Sequence, residues 1–170
     1  FIDVPADRSF NVGVALNSST SVLDVIASFP VNFETGKTYA VFASGLVGSA
    51  PAFTLLADEA REAALDPTKV EFAILHGSPD APAVDVSVFG AGSLVNNIAY
   101  SEFTPYLAVN PASYLIQVKL AGTNTLVGTY QADLAGLTGG AARVFASGLV
   151  GGLPGFGLFA ALPDGTVVEF

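Results

Sequence analysis

The sequence predicts an all-β protein: two tandem β-sandwich units of immunoglobulin-like or transthyretin-like type, the first lacking its N-terminal strands, joined by a short helical connector. Three observations carry this. Period-two alternation recurs along the chain, punctuated by Gly, Pro, Ser and Asp, while helical periodicity is nearly absent. The stretch FASGLVG occurs twice without change, at Phe42–Gly48 and at Phe145–Gly151. Similarity continues on both sides of each copy, so a whole supersecondary unit is used twice.

The elements follow in order. FIDVPADRSFNVGVAL (Phe1–Leu16) is similar to YLAVNPASYLIQVKL (Tyr106–Leu120). Phe10, Val12, Val14 and Leu16 alternate in the first stretch, and Tyr114, Ile116, Val118 and Leu120 in the second, the pattern of a half-buried strand. Asn17 opens an Asn-Ser-Ser glycosylation pattern, read as a polar hairpin tip. After each FASGLVG a Gly/Ser/Pro stretch, read as a tight crossover, leads to another strand, PAFTLLAD (Pro51–Asp58) or GFGLFAAL (Gly155–Leu162). ADEAREAALDP (Ala57–Pro67) is rich in helix formers, with Asp58 to cap and Pro67 to terminate, and predicts the helical connector. Residues 1–66 then form the later part of the first sandwich plus connector, and residues 67–170 a complete second sandwich.

The stretch Lys69–Pro105 has no counterpart in the first unit. In it Val70, Phe72, Ile74 and His76 share a face, SPDAP (Ser78–Pro82) supplies a turn, and Val84, Val86 and Val88 alternate with Asp85 and Ser87. AGSLVNNIAY adds a bend and a further strand. The chain is therefore expected to begin inside a sandwich whose inner face needs cover. Exposing roughly 1,000 Å² of apolar surface costs about 25 kcal/mol, more than the stability of a typical domain. Upstream strands of the same protein, strands from a neighbouring copy, or the second unit itself would supply the cover. Phe10, Val12, Val14 and Leu16 are the candidate assembly face, and the expected partner is another copy in an oligomer or polymer, or an N-terminal part of the same protein.

Composition narrows the function. The 170 residues carry a net charge of -9, which disfavours nucleic acid as a partner. Cysteine is absent, excluding disulfides, thiolate metal sites and cysteine nucleophiles. No apolar run is long enough to span a membrane, and no cofactor motif is present: the glycines of GLVGGLPGFG lack the Lys-Ser/Thr of a phosphate loop, and FASG lacks the nucleophile elbow. His76, Ser78, Asp80 and Asp85 are the one cluster suggestive of catalysis. A triad needs a base touching the nucleophile and a carboxylate behind it; a lone histidine closing a strand reads instead as a buried imidazole hydrogen-bonded to the SPDAP loop. Asp80 and Asp85 lie close enough in sequence to suggest calcium ligands, but no Asp-x-Asp-x-Asp-Gly run surrounds them. The aromatic residues are mostly spaced as core positions, with Tyr100, Phe103 and Tyr106 offering the alternative of an adhesive edge for carbohydrate or protein.

FAILHGSPDAPAVDVSVFG, followed by IAYSEFTPYLAV, SYLIQVKLAGT and RVFASG, resembles the family called domain of unknown function 4397. Its His-x-Ser-Pro-Asp-Ala-Pro-x-Val-Asp-Val signature falls on His76–Val86, which makes His76, Ser78, Pro79, Asp80, Pro82 and Asp85 the structural signature. The resemblance covers Lys69–Phe170 and, as the later part of another copy, Phe1–Asp66. It implies a secreted or surface-displayed bacterial or archaeal β-sandwich, commonly in tandem. The expected function is non-enzymatic: an extracellular structural or adhesive protein, a subunit of a surface fibre or layer assembled by strand complementation. The alternative is a cell-surface module binding a glycan or protein, stabilised by calcium.

Overall fold

The computed structural model describes residues 2–170. Its first strands, β1 (Phe10–Ala15) and β2 (Val25–Val31), form an antiparallel pair, followed by a second pair, β3 (Tyr39–Ser44) and β4 (Thr54–Glu59). The remaining strands build a complete sandwich: β5 (Val70–His76), β6 (Val84–Val88), β7 (Gly92–Ile98), β8 (Leu107–Val109), β9 (Ser113–Leu120), β10 (Leu126–Asp133), β11 (Ala141–Ser147), β12 (Gly157–Ala161) and β13 (Val167–Glu169). One sheet runs β10-β9-β6-β7 and is antiparallel throughout. The other runs β13-β12-β11-β5-β8, with β5 and β11 parallel. Alternation places Phe72 and Ile74 of β5 against Val84 and Val86 of β6, with Ile98, Val118 and Ala142 completing the core. No helix among the described residues is long and apolar enough to cross a membrane.

The first two pairs repeat the second unit in register. Phe10 and Val12 oppose Val31 and Phe29, as Tyr114 and Ile116 oppose Ala132 and Tyr130. Val41 opposes Ala57 and Ser44 opposes Thr54, as Val144 opposes Ala160 and Ser147 opposes Gly157. The duplicated motif is thus one hairpin in two equivalent settings. It is not the crossover expected from its glycines: it joins antiparallel neighbours, and the positive φ of Gly45 and Gly148 turns the chain back. In the second unit β5 lies along β11 and β6 along β9; among the described residues nothing pairs with the matching edges of β3 and β1.

Two further expectations are corrected. Ala57–Pro67 forms no helix: Ala57, Asp58 and Glu59 end β4, paired with Val41, Ala40 and Tyr39, Ala63 bridges Gly140, and Ala64 N–H donates to the Gly139 carbonyl at 2.9 Å. So short a stretch gains little from helix propensity, and these extended contacts outweigh it. The helical turn among the described residues is instead a 3₁₀ turn at Val22–Asp24, closed by a reciprocal Ser21–Asp24 capping box. Leu16 leaves the predicted face, because a bulge between Val14 and Ala15 breaks the alternation and leaves it 64% exposed. Asn17 lies in the β1–β2 turn.

The β3–β4 pair is used on both faces. One faces β1–β2, with the Tyr39 and Phe33 rings 4.6 Å apart and Phe53 5.7 Å from Phe29. The other lies on the outer face of the β11–β5 sheet, where the Phe42 ring is 5.3 Å from Phe145 and 5.9 Å from Phe103. The hydroxyls of Ser44 and Tyr100 are 2.7 Å apart. Arg143, buried on β11, pairs with Asp58 at 2.6 Å and donates to the Glu59 carbonyl. Arg61 pairs with Glu71, and its backbone N–H donates to the Tyr106 hydroxyl at 2.8 Å. Both guanidinium groups lie over the Tyr106 ring, at 4.5 and 4.7 Å from its centroid. These contacts explain why β5 is buried along its whole length. The aromatic edge of Tyr100, Phe103 and Tyr106 is therefore occupied by the chain's own first unit.

Removing the ring that joins the units tests this packing. Phe42→Ala is expected to lower stability by about 2 kcal/mol in urea unfolding, with amide exchange rising first in β3 and β4 and last in β6 and β9.

Candidate functional site

The signature residues form one continuous set of backbone contacts. His76 ends β5 with 1% of its surface exposed; its Nε2 lies 3.0 Å from the Pro82 carbonyl oxygen, and Nδ1 has no hydrogen-bond partner. Gly77 N–H donates to the Ala146 carbonyl at 3.0 Å, and a Cβ at Gly77 would stand 2.6 Å from that same oxygen, so the approach requires glycine. Ser78, wholly buried, donates from Oγ to the Gly148 carbonyl at 2.8 Å. Pro79 and Asp80 occupy the turn, and the Asp80 carboxylate accepts from the Val150 and Gly151 N–H groups at 2.8 and 2.9 Å. The Gly151 amide, then the Val150 amide, hold the Asp80 carboxyl below the usual carboxylate range, with the Ser78 hydroxyl adding to them. Asp85 on β6 does similar work elsewhere, accepting from Asn97 N–H at 2.7 Å and Gly122 N–H at 2.9 Å.

The structure thus brings His76, Ser78, Pro79, Asp80 and Pro82 together as a clamp on the second FASGLVG loop, with Asp85 apart from them. Ser78 donates to a carbonyl and His76 faces another; the two are not bonded to each other, so no nucleophile–base pair is assembled. Asp80 sits in a turn and Asp85 on β6, each with its oxygens engaged by amides, and the described residues contain no group of three or more metal-ligating side chains. The arrangement offers no shared calcium cage.

The first FASGLVG loop has the same internal geometry without the clamp. Leu46 N–H donates to the Pro51 carbonyl at 2.8 Å, as Leu149 N–H does to Pro154 at 2.9 Å. Leu46 bridges Ala52 as Leu149 bridges Gly155. The groups equivalent to those the clamp engages are the carbonyls of Ala43 and Gly45 and the N–H groups of Val47 and Gly48. None of these has a hydrogen-bond partner among the described residues.

Two open spaces adjoin them. A cavity of about 390 Å³ lies beside Ile26, Leu46, Val47 and Phe53, whereas about 20 Å³ remains where the equivalent Phe156 stands with His76, Val84 and Ile98. A cleft of about 660 Å³ opens between the two strand pairs, floored by Phe10, Val12, Phe33, Tyr39 and Val41. Val41 is 42% exposed there, while its twin Val144 packs on the core. Inside the complete sandwich the apolar cavity is only about 60 Å³, far below the size of an organic-ligand site.

Residues 1–87 and 70–154 match the family described as domain of unknown function (DUF4397). The chain belongs to this family. The two matches overlap on β5, the clamp loop and most of β6. No curated protein and no solved structure matches the chain. Sequence reasoning missed that the signature's partner is the second FASGLVG. The signal was the repeat itself, kept unchanged while the strands around it differ between the copies.

Two outcomes test the clamp. Ser78→Ala leaves the Gly148 carbonyl without its donor and is expected to cost about 1–3 kcal/mol in chemical unfolding. Because Asp80 is held below its unfolded-state pKa, its contribution is present above about pH 4 and is lost as pH falls through the lowered value. Asp80→Asn should therefore flatten the acid limb of a stability-versus-pH curve, leaving the share of Asp66, Asp133 and Asp164, whose carboxyls are also lowered by local hydrogen bonds.

Proposed function

We propose that this is a non-enzymatic structural or adhesive protein of the cell exterior, and that its first unit works by strand complementation, taking up a strand from another polypeptide to build a surface fibre or layer. The observation that carries this reading is the unpaired edge of β3 beside an apolar cleft. In the second unit Glu71 and Gly77 donate to the carbonyls of Gly140 and Ala146, so alternate residues of β11 turn their backbone groups toward β5. The matching residues of β3 are Tyr39, Val41 and Ala43. An unpaired edge of this kind is a template for strand addition. A polypeptide suits the cleft better than a glycan does, because both flanking strands present free backbone groups beside the apolar Phe10, Val12 and Val41, with the charged Glu34, Lys37 and Glu62 at its margin. Placement outside the cell accords with such an edge, which would pair indiscriminately in a crowded interior.

Amide exchange on the dilute monomer tests the reading. The N–H groups of Val41 and Ala43 are expected to exchange freely while those of Val144 and Ala146 are protected. Concentrating the protein should slow the first pair and give assemblies visible by electron microscopy, which Val41→Pro or Val41→Lys removes. Strong protection of Val41 and Ala43 in the monomer would overturn it.

A further inference from the structure

We infer that one end of the molecule docks on an uncharged lipid bilayer through the tips of three loops, residues 16–24, 45–53 and 148–156. The inference does not depend on strand uptake. The topology brings these loops to one end. Ile26 and Ala27, just after the β1–β2 turn, line the same cavity as Leu46, Val47 and Phe53, so the first two loops are neighbours. The two units then stand side by side in the same sense. Ser44, at the end of β3, meets Tyr100, whose neighbour Ser101 donates to the His76 carbonyl at the end of β5. Asp58 and Glu59 meet Arg143 near the start of β11, and β11 runs parallel to β5. The two FASGLVG loops therefore leave the same end of the molecule.

On these loops large aliphatic side chains stand in solvent. Val22 and Leu23 are 85% and 90% exposed and Leu153 is 91% exposed, with Val47 and Val150 exposed as well. Their backbones are nonetheless fixed. The reciprocal Ser21–Asp24 capping holds the first tip, and the Leu46–Pro51 and Leu149–Pro154 hydrogen bonds close the other two. Val150 is exposed in the unit whose sandwich is complete, so the exposure of these tips is separate from that of the unpaired edge of β3.

Charge selects the medium. The three loops carry one charged residue, Asp24, and its carboxylate accepts from the Thr20 and Ser21 N–H groups at 3.2 Å. Asp80, Asp85 and Glu102, toward the same end, are engaged by backbone amides too. The ion pairs of Lys37 with Glu34 and Glu59, of Arg61 with Glu71 and of Arg143 with Asp58 lie toward the opposite end. The loops thus offer no cation to an anionic surface, and the chain's net charge of -9 opposes one. Shape selects the same medium. Side chains so exposed touch almost nothing of their own chain, so the tips are separate points with no shared groove for a partner protein's core to fill. A hydrocarbon phase conforms to separate points, while the uncharged Asn17, Ser18, Ser19 and Ser49 around them suit a headgroup layer.

The chain has no tryptophan, so single reporters are unambiguous. Leu23→Trp, Leu153→Trp and, beside Gly139 at the opposite end, Leu65→Trp are each mixed with phosphatidylcholine vesicles. Emission of the first two is expected to shift to the blue and to be quenched by lipid brominated on its acyl chains, and that of Leu65→Trp to do neither. In vesicle flotation, Leu23→Ser and Leu153→Ser should each weaken binding about tenfold, and the double variant should not float. Both side chains lie in solvent, so the urea midpoint should stay unchanged. Phosphatidylserine added to the vesicles should reduce binding at low salt. Failure of the unaltered chain to float overturns the inference, as does binding that requires phosphatidylserine or that survives in the double variant. Lipid-free association of the chain that the serine variants abolish would assign the loops to a second copy and overturns it too.

Discussion

One carboxylate spanning two backbone amides, Asp80 on Val150 and Gly151, is the constraint around which the complete sandwich is organised. Parallel strands have no hairpin to set their register, and a slip of one residue would turn the core face of β5 outward. The clamp pins the end of β5 against the end of β11, with Gly77 on Ala146 and Ser78 on Gly148 fixing the last steps. From that anchor the alternation of β5 directs Phe72 and Ile74 into the core. The turn through Pro79 then carries the chain across to the opposite sheet. Asp85 plays a comparable part at the next strand, holding the backbone at Asn97 and Gly122.

The same loop in the first unit shows that its shape does not depend on the clamp. Its turn closes by its own Leu46–Pro51 hydrogen bond and by positive φ at Gly45. The loop therefore takes the same shape with the clamp and without it. By covering the Phe42 face of β3 with Phe103, Phe145 and Tyr100, the second unit leaves only the Val41 face and one edge open.

Much of this was legible in the residues. The alternation of Val70, Phe72, Ile74 and His76, the turn at Pro79–Asp80 and the duplicated hairpin all report local periodicity or turn chemistry, which a sequence displays directly. The connector at Ala57–Pro67 departs from its helical composition because helix propensity is a local quantity, whereas its extended course is set by Gly139 and Gly140, far along the chain. Leu16 departs from the alternation because a bulge alters the period without a distinctive residue to announce it. The partner of Asp80 was hidden for another reason. Backbone amides recognise without side-chain identity, so the loop residues that bind the carboxylate carry no chemical label of their own. For Tyr100, Phe103 and Tyr106 the residues allow both a core place and an open edge, because the sequence does not say that a half-unit lies on them.

The two cations over Tyr106 bear on how repeated units would behave in series. Arg61 comes from the connector and Arg143 from the strand beneath, and each is also tied to a carboxylate, Glu71 or Asp58. A joint held by a flat ring and two crossed ionic ties resists both twisting and tilting. Two units linked this way keep one relative orientation instead of hanging as beads on a slack string.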